Sequence, residues 1–101
     1  MIILDSYAWV EYFLGSDSGR VVKEYLDREE ASTPSIVLAE IARKYLREGV
    51  REEDIFKRLN FIVAKSNIVE VDVELSVMAA KAYLELFKKR KKKGLKCPAW
   101  Q

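Results

Sequence analysis

The sequence predicts a helix-rich α/β domain on a parallel sheet, a three-layer α/β/α arrangement, and three observations carry that reading. Ile2-Ile3-Leu4 and Ile68-Val69-Glu70-Val71 are short apolar runs rich in β-branched residues, the pattern of buried strands. The long stretches around them have the spacing of amphipathic helices, and strands separated by helices point to crossovers and a parallel sheet covered on both faces. The chain has 101 residues, half of them hydrophobic, which suits one core and not two.

Taken in order, Ile2 to Leu4 forms the first strand and ends at Asp5. Ser6 caps a helix running to about Phe13, broken by Gly15. Ser16-Asp17-Ser18-Gly19 makes a loop and a second N-cap. Val21, Val22, Tyr25 and Leu26 then mark one face of a second helix. Ala31-Ser32 is a candidate short strand. Thr33-Pro34 opens the next helix, with Thr as N-cap and Pro at the first helical position, and Gly49 stands at its C′ position beyond Glu48. A fourth helix spans about Arg51 to Lys65, with Ile55, Phe56, Leu59, Ile62 and Val63 on one face. The strand Ile68 to Val71 follows, expected to lie parallel and adjacent or near-adjacent to the first. Asp72 caps a long helix from Val73 to about Lys93, ended by Gly94.

Composition removes several function classes. The absence of histidine excludes Ser-His-Asp and Cys-His catalysis and His-ligated zinc. Cys97, the single cysteine, excludes an internal disulfide and suits a reducing cytoplasm. No stretch reaches the ~18 apolar residues of a membrane span. The formal net charge of +2 conceals a basic run, Lys88, Lys89, Arg90, Lys91, Lys92, Lys93 and Lys96. The run reads either as a solvated helix end whose cations suit the C-terminal dipole or as a phosphate-binding patch.

Two carboxylates stand in apolar surroundings. Asp5 lies at the carboxyl end of the first strand, where open α/β sheets bind ligands, although it can also cap the helix that follows. Glu40 interrupts Ile36-Val37-Leu38-Ala39-Glu40-Ile41-Ala42 and is expected to be at least partly buried. A buried carboxylate must be protonated, paired or bound to a metal. The alternatives for Glu40 are a salt bridge to Arg43 or Lys44, or a side chain that reaches out to water. As a pair, Asp5 and Glu40 suit a hard cation such as Mg²⁺ or Mn²⁺, which prefers oxygen ligands.

Met1-Ile2-Ile3-Leu4-Asp5-Ser6-Tyr7-Ala8-Trp9-Val10-Glu11-Tyr12-Phe13 resembles the opening of PIN domains, in which a hydrophobic strand ends in an Asp followed by Ser or Thr. Thr33-Pro34-Ser35-Ile36-Val37-Leu38-Ala39-Glu40-Ile41 resembles their second motif, and Ile68 to Asp72 with the long helix after it matches the family's course up to Gly94-Leu95. The resemblance implies Asp5 and Glu40 as metal ligands, with Ser6 orienting Asp5 or a metal-bound water. It implies Mg²⁺ or Mn²⁺ as cofactor, and hydrolysis of single-stranded or structured RNA. For relatives of the VapC toxin kind, it implies a cytoplasmic ribonuclease with an antitoxin partner, associating as a homodimer or higher oligomer.

The family continues with a Pro-Ser-Leu-Ala-Asp-like segment and a further acid, whereas this chain ends Gly94-Leu95-Lys96-Cys97-Pro98-Ala99-Trp100-Gln101, with no acid after Glu85. The expectation is a single domain over residues 1–101 that is incomplete at its C-terminus and inactive or impaired. A shifted reading frame near Lys96 and a deliberate boundary are the competing accounts. Two other functions compete with the nuclease reading: a noncatalytic module that binds an antitoxin or a second copy, and an RNA-binding protein that uses the basic run.

Overall fold

Three parallel strands in the order β1-β2-β3 carry the chain: β1 is Ile2–Ile3, β2 is Ala31–Pro34 and β3 is Asn67–Val69. This is a computed structural model, and it describes residues 2–92, without the side chains of 86, 87 and 89–92. Two helices cross from β1 to β2, α1 (Ser6–Leu14) and α2 (Asp17–Asp27). Two more cross from β2 to β3, α3 (Ser35–Arg47) and α4 (Glu52–Lys65), and α5 (Val73–Lys92) follows β3. The helix-rich α/β/α architecture with a parallel sheet therefore stands as the sequence predicts. The two apolar runs flank β2 rather than touching each other. Ile2 pairs with Ala31 and Ile3 with Ser32, while Ser32, Thr33 and Pro34 pair with Asn67, Ile68 and Val69. All three strands end on one side, so Asp5, Ser35 and Glu70 follow them at a common edge.

Several element ends differ from the sequence reading, each for a physical reason. Asp5, not Ser6, is the N-cap of α1: its Oδ1 accepts from the Ala8 N–H at 2.9 Å, which makes Ser6 the first helical residue. Ser16 caps α2, accepting from the Gly19 N–H at 3.1 Å, so Asp17 to Gly19 are already helical. Thr33-Pro34 does not open α3. Both residues belong to β2, and the helix begins at Ser35 with Pro34 at the cap position and no side-chain cap. Thr33 is fully buried, and its hydroxyl is taken by partners far away in sequence. The Trp9 indole N–H donates to Thr33 Oγ1 at 3.0 Å, and Thr33 Oγ1 lies 2.7 Å from Ser66 Oγ. Ser66 Oγ in turn donates to the Ile62 carbonyl at 2.9 Å. A hydroxyl has one proton. The proton of Ser66 is committed to Ile62, so Thr33 donates to Ser66, and a directed chain runs from α1 through β2 to α4. β3 is shorter than expected, leaving Glu70 and Val71 outside it.

Other signals act as read. Gly49, with φ of 81°, lies just past α3, and Asp72 caps α5 by accepting from the Leu75 N–H at 2.7 Å. Lys93 and Gly94, expected at the end of that helix, lie outside the described residues.

The core collects around α1. Trp9, Ile41 and Ile62 are fully buried, with Tyr7, Val22 and Val37 nearly so. Trp9, Tyr12, Phe13 and Phe61 form an aromatic cluster; Trp9 stacks on Phe13 at 5.8 Å and meets Phe61 edge-on at 6.3 Å, geometries that add to simple burial. The Tyr7 ring meets Tyr83 edge-on at 5.5 Å, which fastens α5 to α1. α1 and α2 are in close contact at Gly19, where an added Cβ would stand 2.3 Å from the Glu11 carbonyl oxygen.

Candidate metal and phosphate site

The end of β1 delivers Asp5 to the carboxyl edge of the sheet and, through its capping bond, fixes the direction of its side chain. Asp5 is half-buried. Burial pushes its carboxyl above the ordinary value of 3.8, and the negative charge of Glu40 pushes the same way, against the Ala8 N–H, which holds it down. Asp5 and Glu40 thus share an electrostatic environment, although they are 35 positions apart. The link is α3, which leaves β2 beside β1 and presents Glu40 in its second turn.

Glu40 itself is exposed, which corrects the expectation of burial. The stripe of α3 that faces the core is Val37, Ile41 and Tyr45, and Glu40 lies one position off it. The surrounding apolar run is not all interior, since Ile36 is 54% exposed. Glu40 forms no ion pair among the described residues, and Lys44, one of its expected partners, pairs with Glu48 one turn on. The carboxylate that is buried is Glu11, at 2% exposure, which accepts from the Ser16 hydroxyl at 3.3 Å. The sequence reading passed it over, although Trp9-Val10-Glu11-Tyr12-Phe13 gives the same signal, an acid inside an apolar run.

Ser6 and Glu40 line one open cavity of about 350 Å³, together with Arg43, Lys44, Arg47 and Glu48. The sequence reading weighed Arg43 and Lys44 only as partners for Glu40 and did not single out Arg47. The available signal was spacing: positions 40, 43 and 47 fall on one helical face. Of the basic run, Lys88 is exposed on α5, and Lys89, Arg90, Lys91 and Lys92 continue that helix with side chains outside the description. Lys93 lies outside the described residues altogether.

The donor set of Asp5, Glu40 and Ser6 is oxygen only, which fits a hard divalent cation rather than a thiophilic one. Two like charges drawn together, one of them partly desolvated, are also what a cation relieves. No cluster of three or more acids, cysteines or histidines able to hold a metal occurs among the described residues. The fit is therefore to an ion that keeps much of its water. No helix among the described residues is long and apolar enough to cross a membrane.

Residues 2–93 match the family described as PIN domain. No curated protein and no solved structure matches the chain.

Proposed function

The chain belongs to the PIN domain family, and on that premise we propose that it is a nuclease of the VapC kind, a metal-dependent endoribonuclease with its site at Asp5, Ser6 and Glu40. Nuclease chemistry in general comes with the family. The RNA substrate, the dependence on Mg²⁺ or Mn²⁺, a cytoplasmic setting and an antitoxin partner are the finer parts of the proposal. The observation that carries it is placement: Asp5 follows β1 at the carboxyl edge of the sheet, and its neighbour Ser6 lines one cavity with Glu40 of α3.

The roles follow from placement. Asp5 is oriented by the Ala8 N–H, which donates to its Oδ1, and its carboxylate stands at the carboxyl edge of the sheet, where a cation or a water can meet it. Glu40, exposed and free of ion pairs among the described residues, supplies the second charge from α3. Ser6 sits at the first position of α1 beside Asp5 and can donate its hydroxyl proton to that carboxylate or to a water between them. A divalent ion, when bound, supplies activation of water and neutralises phosphate charge. Two carboxylates give modest charge and few ligands, so affinity is weak and turnover slow.

Manganese binding by the full chain, followed by water-proton relaxation, and cleavage of single-stranded RNA with Mg²⁺ or Mn²⁺ test this reading. The expected result is weak binding and slow cation-dependent cleavage, both reduced in Asp5→Asn and in Glu40→Gln. Cleavage that survives both substitutions, or manganese binding indifferent to both, overturns the site.

Self-association as a homodimer or higher oligomer is a separate part of the proposal. It is supported by Leu46 and Phe56, 55% and 64% exposed, beside an apolar cleft between α3 and α4. A monomer by light scattering counts against it.

A further inference from the structure

We propose that Arg43 and Arg47 hold two backbone phosphates of a single-stranded RNA, so that the strand runs along α3 away from the Asp5–Glu40 pair. The inference rests on the nuclease reading and names how that site grips its substrate.

Three observations support it. First, Glu40, Arg43 and Arg47 occupy one face of α3, at spacings of three and four residues, and line the same open cavity as Ser6. The axial rise from Glu40 is about 4.5 Å to Arg43 and about 10.5 Å to Arg47. The cations therefore form a short track that begins next to the acids, within reach of phosphates flanking the one to be cut. Second, both arginines are exposed, and neither has an ion-pair partner among the described residues. Their neighbour Lys44 is different: it is tied to Glu48. Of the three cations in the cavity, the two guanidiniums are those left over, and a guanidinium offers paired donors that match phosphate oxygens. Third, the core stripe Val37, Ile41 and Tyr45 anchors the opposite side of the helix, so the track is presented on a rigid element.

Cations in the last turn of a helix also suit its dipole, and that accounts for Arg47 by itself. It does not account for Arg43, a full turn earlier and beside Glu40. Nor does the dipole require a cavity.

The test is binding of a short fluorescein-labelled oligouridylate by the full chain, followed by anisotropy over a range of salt concentrations. The readout is binding, so it is independent of whether Asp5 and Glu40 hydrolyse anything. Alanine is the best helix former, and both positions are exposed, so R43A/R47A should fold as the parent does. For single strands the slope of log K against log salt is about −0.7 per phosphate neutralised, and the double variant should lose about 1.4 of it. R43K/R47K, which keeps the charges, should retain the slope while binding more weakly. An unchanged slope in R43A/R47A overturns the inference, and so does a slope that responds only to Lys88→Ala and Lys89→Ala. In both cases cleavage that still depends on Asp5 and Glu40 leaves the nuclease reading standing. A parent chain that neither binds nor cuts RNA overturns both.

Discussion

The interior behind α1 and the mouth at the strand ends treat polar groups in opposite ways. Behind α1, most polar groups that are out of water find partners within the protein: the Trp9 indole, the Thr33 and Ser66 hydroxyls and the Ile62 carbonyl form one chain, and Glu11 accepts from Ser16, while the buried Ser18 hydroxyl stands apart without a partner among the described residues. At the mouth, polar groups are left over. The Glu40 charge adds to the cost of ionising Asp5, and Arg43 and Arg47 carry no counter-ion among the described residues. An unsatisfied buried group costs stability, whereas an exposed charge is met by water and stays available to a ligand. The contrast makes a prediction about sign: substitutions that break the interior should destabilise, and substitutions that neutralise the mouth should not.

The largest effect is expected at Gly19. A Cβ there would lie 2.3 Å from the Glu11 carbonyl oxygen and 2.8 Å from the Tyr12 Cα, both backbone atoms that cannot swing aside. Gly19→Ala must push α2 off α1, at a cost of roughly 3 kcal/mol or more, near the upper end for overpacked sites. Urea unfolding at constant pH measures this. A loss below about 1 kcal/mol would mean that the seam gives way more easily than close packing allows.

A smaller loss is expected for Thr33→Val, which keeps the shape and removes the hydroxyl. The indole N–H of the fully buried Trp9 is then left without its acceptor, and Ser66 loses a donor. Stranding a buried donor costs about 1–3 kcal/mol. Trp9→Phe together with Thr33→Val should recover part of that cost, since no donor is left stranded. A double variant no better than the sum of its parts would break the idea of a connected chain.

The same contrast explains which features were legible in the sequence. Signals that act within one turn of helix could be read directly, such as Asp72 capping α5 and Gly49 closing α3. The sheet class was legible too, because two β-branched runs separated by helices leave few alternatives. Thr33 was misread because its competing partners, Trp9 and Ser66, are 24 and 33 positions away. A hydroxyl before a proline has the local chemistry of a cap, and tertiary bonds took it instead. Glu40 and Glu11 show the limit for site residues. Both interrupt apolar runs, but burial depends on the angular position around a helix relative to neighbours that the sequence does not locate. Glu11 faces inward on a helix buried nearly all round, while Glu40 flanks the core stripe of α3. The pattern finds unusual carboxylates without saying which is structural and which is available for chemistry.

The smallest effect, and the one of opposite sign, is expected at the mouth. The Asp5 carboxyl is raised above 3.8, by burial first and by the Glu40 charge in addition, so the folded chain holds that proton more tightly than the unfolded chain does. The unfolded state therefore binds fewer protons between 3.8 and the raised value, and stability falls as pH rises through that interval. The contribution is fully present below the unfolded value and lost above the folded one. Asn in place of Asp5 does not titrate, and it caps a helix about as well as Asp, accepting the same Ala8 N–H through its amide oxygen. Asp5→Asn should match the parent in stability at acid pH, where the carboxyl is neutral in both states. It should overtake the parent as pH rises and stay ahead at neutral pH, by no more than roughly 1 kcal/mol, the scale of partly solvated charge interactions. Thermal melts of both proteins from acid to neutral pH without divalent ions measure the difference. Manganese should then reverse it, because an ion that binds only the folded parent stabilises only the parent. A variant that is less stable than the parent at neutral pH, with no manganese present, would show that the Asp5 charge serves the fold rather than a ligand, and the contrast between the two regions would fail at its central residue.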